Sequence, residues 1–155
     1  MAKEIAFIEA AFLTLIRKQR NVQILDNVIE YGLKTHIVTE FFPYTPFIDL
    51  FHTLPLEDVK HYLLELLIGL KSLKEKGIFH RDIKPGNFLY NPQLKKGIII
   101  DFGLAELDPD YYERIKNENR SAMSKPRRKE HDLELDLHQK LAEALHNVGR
   151  NKIGT

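Results

Sequence analysis

Two short stretches limit what this chain can fold into: HRDIKPGN at residues 80–87 and IIIDFG at residues 98–103. The first holds Asp82 and Asn87 in one loop, bent by Pro85 and Gly86. The second ends an apolar run on Asp101, Phe102 and Gly103. An unbroken apolar run reads as a buried strand, so the fold must deliver its end beside the other loop. Two carboxylates and an amide on neighbouring loops suit orienting a hydroxyl and holding a hard cation such as magnesium against a nucleotide's phosphates. Such chemistry asks the protein for alignment and charge neutralisation more than for covalent help. On this reading Asp82 accepts or orients the proton of an attacking hydroxyl. Lys84 reaches the transferred phosphate and offsets its charge. Asn87 and Asp101 are the metal ligands, and Gly103 lets the backbone turn directly after Asp101. Each tripeptide alone occurs by chance, its aspartate merely capping a turn. The combination, in this order, is far more specific.

The remaining composition narrows the class. The chain has 155 residues, 43% hydrophobic and 29% charged, enough for one domain with a core and unlike a disordered tail. A net charge of +1 gives no overall field toward nucleic acid or anionic membrane. No apolar run approaches the ~20 residues of a membrane span. Glu4 and Glu9 interrupt the first apolar stretch, unlike a signal peptide. The absence of cysteine rules out disulfides and thiolate metal sites and fits a reducing compartment.

Apolar spacing predicts a helix over residues 3–18, with Ile5, Ile8, Phe12, Leu15 and Ile16 on one face and Arg17, Lys18 and Arg20 at its C-terminal end. Strands are predicted at 22–31 and 33–42, joined by a hairpin at Gly32, and Pro43 and Pro46 start a connector. The clearest helix is 56–76, opened by Pro55 and stopped by Gly77. Its stripe of Leu56, Val59, Leu63, Leu66, Leu67, Leu70 and Leu73 should lie against a core. Short strands at 88–90 and 98–100 flank a turn, the second buried on both sides. Beyond Leu104, a short helix is expected from Asp108 through Tyr112 and Ile115, and an amphipathic one over 132–148. The KPRRK run at 125–129 is more often a solvated loop than a nuclear-import or phosphate-binding patch.

Residues 1–103 resemble the catalytic core of a eukaryotic serine/threonine protein kinase, for which HRD, a lysine two residues on, and DFG are signatures. The resemblance implies an α+β, partial protein-kinase-like fold. Residues 1–38 would be the end of the small lobe, 39–46 the hinge, 47–103 the large-lobe catalytic core, and 104–155 an activation segment with an insertion. It implies ATP and magnesium as cofactors. Glu9 would be the ion-pairing glutamate of the first helix, and Leu13, His80 and Phe102 a hydrophobic spine. Thr39 would be the gatekeeper. Glu40, Phe41 and Phe42 would bind adenine through backbone groups, Leu89 would pack on the ring, and Arg81 would tether the activation segment.

KPGNFLYN, LKKG and DFGLAE, with FFPYTPFIDLF before the leucine-rich helix, are more narrowly similar to the cell-division-cycle-seven kinases. Casein-kinase-1-type enzymes share KPxNFL and DFGLA and are the nearest alternative. The narrower family implies protein substrates, among them the replicative MCM helicase subunits, a separate activating subunit, and a nuclear location. Neither direct nucleic-acid binding nor membrane association is implied. The 155 residues hold no glycine-rich loop, no VAIK-type lysine and no APE. The chain therefore reads as a fragment, inactive alone, in which the helix over 56–76 should expose the part of its apolar surface that missing helices would cover; a non-catalytic, pseudokinase-like interaction module is the alternative.

Overall fold

The computed structural model describes residues 2–32, 34–111, 113–114 and 136–143. Helix α1 spans Ala2–Leu15 and is followed by an antiparallel hairpin of β1 (Leu25–Tyr31) and β2 (Lys34–Thr39). A linker leads to a single turn, α2 (Phe47–Leu50), and the long helix α3 (Leu56–Glu75). Short strands follow: β3 (Ile78–Phe79), β4 (Phe88–Asn91), β5 (Lys96–Ile99) and β6 (Glu106–Leu107). They pair as two further antiparallel ribbons, β4 with β5 and β3 with β6. The expected α+β character and the Gly32 hairpin are both present.

Several boundaries differ from expectation; β5 begins at Lys96, where a turn was expected, and ends at Ile99, one residue early. Helix α1 stops at Leu15, so Arg17 and Lys18 lie beyond its last turn and the expected basic end is not inside the helix. Lys18 (φ 72°) and Asn21 (φ 58°) adopt left-handed backbone, which ends the helix and redirects the chain. Strand β1 begins at Leu25 and has a register irregularity between Leu25 and Asn27, while Val22 makes a lone parallel bridge to Ile99. Strand β2 ends at Thr39, three residues early, because residues 40–42 pair with no neighbouring strand among the described residues. The turn α2 and the β3–β6 ribbon had no clear sequence signal; two-residue strands are too short to show a period.

The core is one buried cluster drawn from α1, α3 and the β4–β5 ribbon. Ile8, Phe12, Leu13 and Leu15 from α1 and Ile16 just after it cluster with Val22, Leu73, Tyr90, Ile99 and Phe102. Fully burying one such side chain contributes about 1.5–3 kcal/mol, so this cluster orders the region. Helix α3 can lie directly on the 21–23 segment only because residue 69 is glycine. A Cβ there would sit 2.8 Å from both the Asn21 carbonyl oxygen and Ile99 Cδ1.

The stripe on α3 divides between two surroundings. Leu73 is buried, and Leu66 and Leu70 pack on the core beside Tyr62. Leu56, Val59, Leu63 and Leu67 face outward, with Leu67 61% exposed. A stripe this wide covers two faces: one lies on the core, as expected, and the other is the apolar surface that the fragment reading expected this helix to expose, uncovered among the described residues. Residues 98–100 also depart from their reading, since Ile99 alone is fully buried and its neighbours are half-covered. Of the expected later helices, 109–111, 113–114 and 136–143 are helical, with Leu141 buried. Ile115 and the KPRRK run lie outside the described residues, as do Leu133, Leu145 and Val148.

Candidate active site

Three backbone and side-chain ties bring the two signature loops together. His80 follows β3, and its Nε2 lies 2.9 Å from the Ile100 carbonyl. Its Nδ1 lies 3.3 Å from the Asp82 N–H. A carbonyl can only accept and an amide N–H only donate, so His80 carries its proton on Nε2. From the other side the Ile100 N–H donates to the Asn87 carbonyl at 3.0 Å. Both polar groups of the Ile100 backbone are thus held by the HRD loop, and Asp101 emerges next to it. The His80 ring packs edge-on to Phe102, centroids 5.0 Å apart, and Phe102 and Leu13 are wholly buried.

Asp82 is set within a small network. Its Oδ2 accepts from Lys84 Nζ at 2.5 Å and from Asn87 Nδ2 at 2.8 Å. Asn87 Nδ2 also donates to the Asp82 carbonyl at 3.0 Å. Among the described residues Asp82 Oδ1 accepts no hydrogen bond, so one carboxylate oxygen is held and the other is open. The Lys84 hydrogen bond, partly opposed by desolvation and helped by the Lys84 charge and Asn87, keeps the Asp82 carboxyl below the usual carboxylate range. Asp82 is therefore ionised at neutral pH.

The same network tests whether a hard cation fits. Asn87 is buried, and its amide nitrogen is spent on Asp82. Its Oδ1 makes no hydrogen bond among the described residues. Asp101 is exposed and left-handed at φ 66°, and among the described residues its Oδ1 accepts only from the Gly103 N–H, at 3.3 Å. An amide oxygen and a carboxylate left open in this way are hard donors, and magnesium characteristically takes one or two protein ligands plus phosphate oxygens. Among the described residues no three His, Cys, Asp or Glu side chains converge, so an all-protein metal cage is absent there.

The other expected residues are placed as follows. Glu9 faces Asp101: burial first, then the Asp101 charge, pushes its carboxyl above the usual range. No cation pairs with Glu9 among the described residues. Thr39 ends β2, its Oγ1 accepting from Gln23 Nε2 at 3.1 Å. The Glu40 N–H donates to the Ile24 carbonyl at 3.0 Å, while Phe41 is exposed and Phe42 half-buried. Leu89 is half-buried on β4, and Arg81, left-handed at φ 70°, pairs with Glu106 at 3.3 Å.

A protein kinase domain model matches residues 1–121. The chain belongs to the protein kinase family. It is 37% identical over 98 residues to the Cell division cycle 7-related protein kinase of Mus musculus, covering 63% of this chain and 17% of that protein. It is 47% identical over 70 residues to the Cell cycle protein kinase spo4 of Schizosaccharomyces pombe, covering 45% and 16% respectively. The Probable serine/threonine-protein kinase cdc7 of Dictyostelium discoideum is 37% identical over 90 residues, 58% of this chain and 8% of that protein. The chain thus spans less than a fifth of the length of these kinases.

Sequence reasoning missed two residues that hold this candidate site in place. Glu65 is buried in α3 and accepts from Asn21 Nδ2 at 2.9 Å and from the Gly97 N–H at 3.3 Å, tying α3 to the chain before β1 and to β5. Its position between Tyr62, Leu66 and Gly69 on the inward face was a usable signal. Glu106, the partner of Arg81, was hidden because a two-residue strand brings it there.

Proposed function

We propose that these residues are the catalytic core of an ATP- and magnesium-dependent serine/threonine protein kinase. The observation that carries this is the divided Asp82 carboxylate: Oδ2 held by Lys84 and Asn87, Oδ1 open, the group ionised. Asp82 Oδ1 orients a serine or threonine hydroxyl of a protein substrate and takes its proton. The hydroxyl oxygen bonds to the terminal phosphorus of ATP as the bond to the ADP oxygen breaks. Lys84 stands beside the carboxylate and meets the charge on the transferred group. Asn87 Oδ1 and the Asp101 carboxylate would hold magnesium, which supplies charge neutralisation on the phosphates. The 40–42 segment is read as the adenine-binding hinge, with Leu89 below the base.

By the likeness to the cell-cycle kinases we extend the proposal to cell-cycle signalling in the nucleus, an activating subunit, and replicative helicase subunits as substrates. A second reading, a non-catalytic interaction module, draws on Glu9, whose carboxyl feels the Asp101 charge and pairs with no cation among the described residues. Transfer of labelled phosphate from ATP to a serine-containing peptide separates the two. In the longest polypeptide that carries residues 1–155, Asp82→Asn should lower the rate by about 10²–10⁴-fold. Equal turnover in Asp82→Asn and wild type would remove Asp82 from the reaction, and no transfer by the wild type favours the module.

A further inference from the structure

The FLYN sequence ends on Asn91, whose side chain has no part in the phosphate chemistry, yet it is buried and fully committed. Its Nδ2 donates to the Pro43 carbonyl at 2.9 Å, and its Oδ1 accepts from the Leu94 N–H at 2.8 Å. One residue earlier, the Tyr90 carbonyl accepts from the Thr45 N–H at 3.0 Å, and the two residues form an antiparallel bridge. The linker that leaves β2 is therefore fastened at both ends. Glu40 is tied to Ile24 on one side, and Pro43 and Thr45 are tied to β4 on the other. Between these anchors the N–H groups of Phe41 and Phe42 make no hydrogen bond among the described residues. Strand β4 also carries Leu89, half-buried and facing oppositely to Phe88 and Tyr90.

We propose that Asn91 is a positioning residue for the nucleotide base: its amide fixes the linker, where the base would hydrogen-bond, relative to Leu89, on which the base would rest. The inference rests on the nucleotide reading above and adds to it the residue that sets base affinity from outside the pocket. A neutral hydrogen bond of this kind is worth about three- to ten-fold in an equilibrium constant. Asn91→Asp separates the two halves of the clamp. It keeps an acceptor for the Leu94 N–H and replaces the donor to Pro43 with a second acceptor.

The test compares magnesium-ADP with magnesium-tripolyphosphate, which lacks the base, on wild type and Asn91→Asp. We expect Asn91→Asp to bind ADP about three- to ten-fold more weakly and tripolyphosphate unchanged. Unchanged ADP affinity overturns the proposal. A parallel loss of both ligands also overturns it, because Asn91 then merely holds the fold. If wild type binds neither ligand, the nucleotide reading itself fails and this inference falls with it. Should Asn91→Asp not fold, the wild-type Asn91 side-chain amide signal in NMR decides. It should shift with ADP and stay fixed with tripolyphosphate; no shift with ADP overturns the proposal.

Discussion

Asp82 and Glu9 show how the same carboxylate chemistry takes opposite directions in one site. Asp82 has a lysine and an amide on one oxygen, so its charged form is favoured. Glu9 is partly desolvated and faces Asp101, so its charged form is disfavoured. A carboxyl whose folded-state value is raised favours folding when protonated. Its contribution is present below the ordinary glutamate value and is lost as pH rises through the raised one. Glu9→Gln mimics the protonated state at every pH. We expect it to raise the melting temperature at pH 7 by roughly 1–3 °C, the effect being modest because solvent screens a half-covered group. Near pH 4 the difference should shrink toward zero. A pH-independent gap between variant and wild type would show that charge at Glu9 is not the cause.

At the scale of elements, the close approach of α3 to the 21–23 segment sets where β5, and so Asp101, can lie. Gly69→Ala places a methyl 2.8 Å from the Asn21 carbonyl oxygen and Ile99 Cδ1. The backbone oxygen cannot rotate away, so urea denaturation should show a loss of about 1–3 kcal/mol. A neutral result would mean that α3 shifts freely against β5. The long elements were legible in the sequence because their periods are long: α3 with Pro55 before it and Gly77 after it, α1 by its apolar face, the hairpin by Gly32. The signature loops were legible because Asp82, Lys84, Asn87 and Asp101 have fixed spacing and order. What connects these loops was not. The His80–Ile100 and Asn87–Ile100 bonds run through backbone groups, which no residue type announces. Glu106 reaches Arg81 through a two-residue pairing, and Asn91 reaches Pro43 across 48 positions of chain.

In the whole molecule, the described residues build one wall of the candidate active site and one covered face of α3. The other face of α3 carries the exposed Leu56, Leu63 and Leu67, and Ile48 and Phe51 in the preceding segment are exposed as well. Exposed apolar side chains along a helix face promote association. Replacing Leu63 and Leu67 together with glutamine should change unfolding free energy by no more than about 0.5 kcal/mol each. It should also reduce self-association, as read by analytical ultracentrifugation. Leu73→Ala, on the covered face, should cost about 2–5 kcal/mol. Equal costs on the two faces would contradict the division of the stripe.

The claim that Asn87 and Asp101 jointly receive a divalent cation with a nucleotide is the centre of the functional reading. Paramagnetic broadening by manganese in the presence of ADP tests it on this chain. We expect the Asn87 side-chain amide and the Gly103 backbone amide to broaden selectively, and Asp101→Asn to abolish the effect. Broadening confined to other acidic residues, or unchanged broadening in Asp101→Asn, would contradict it.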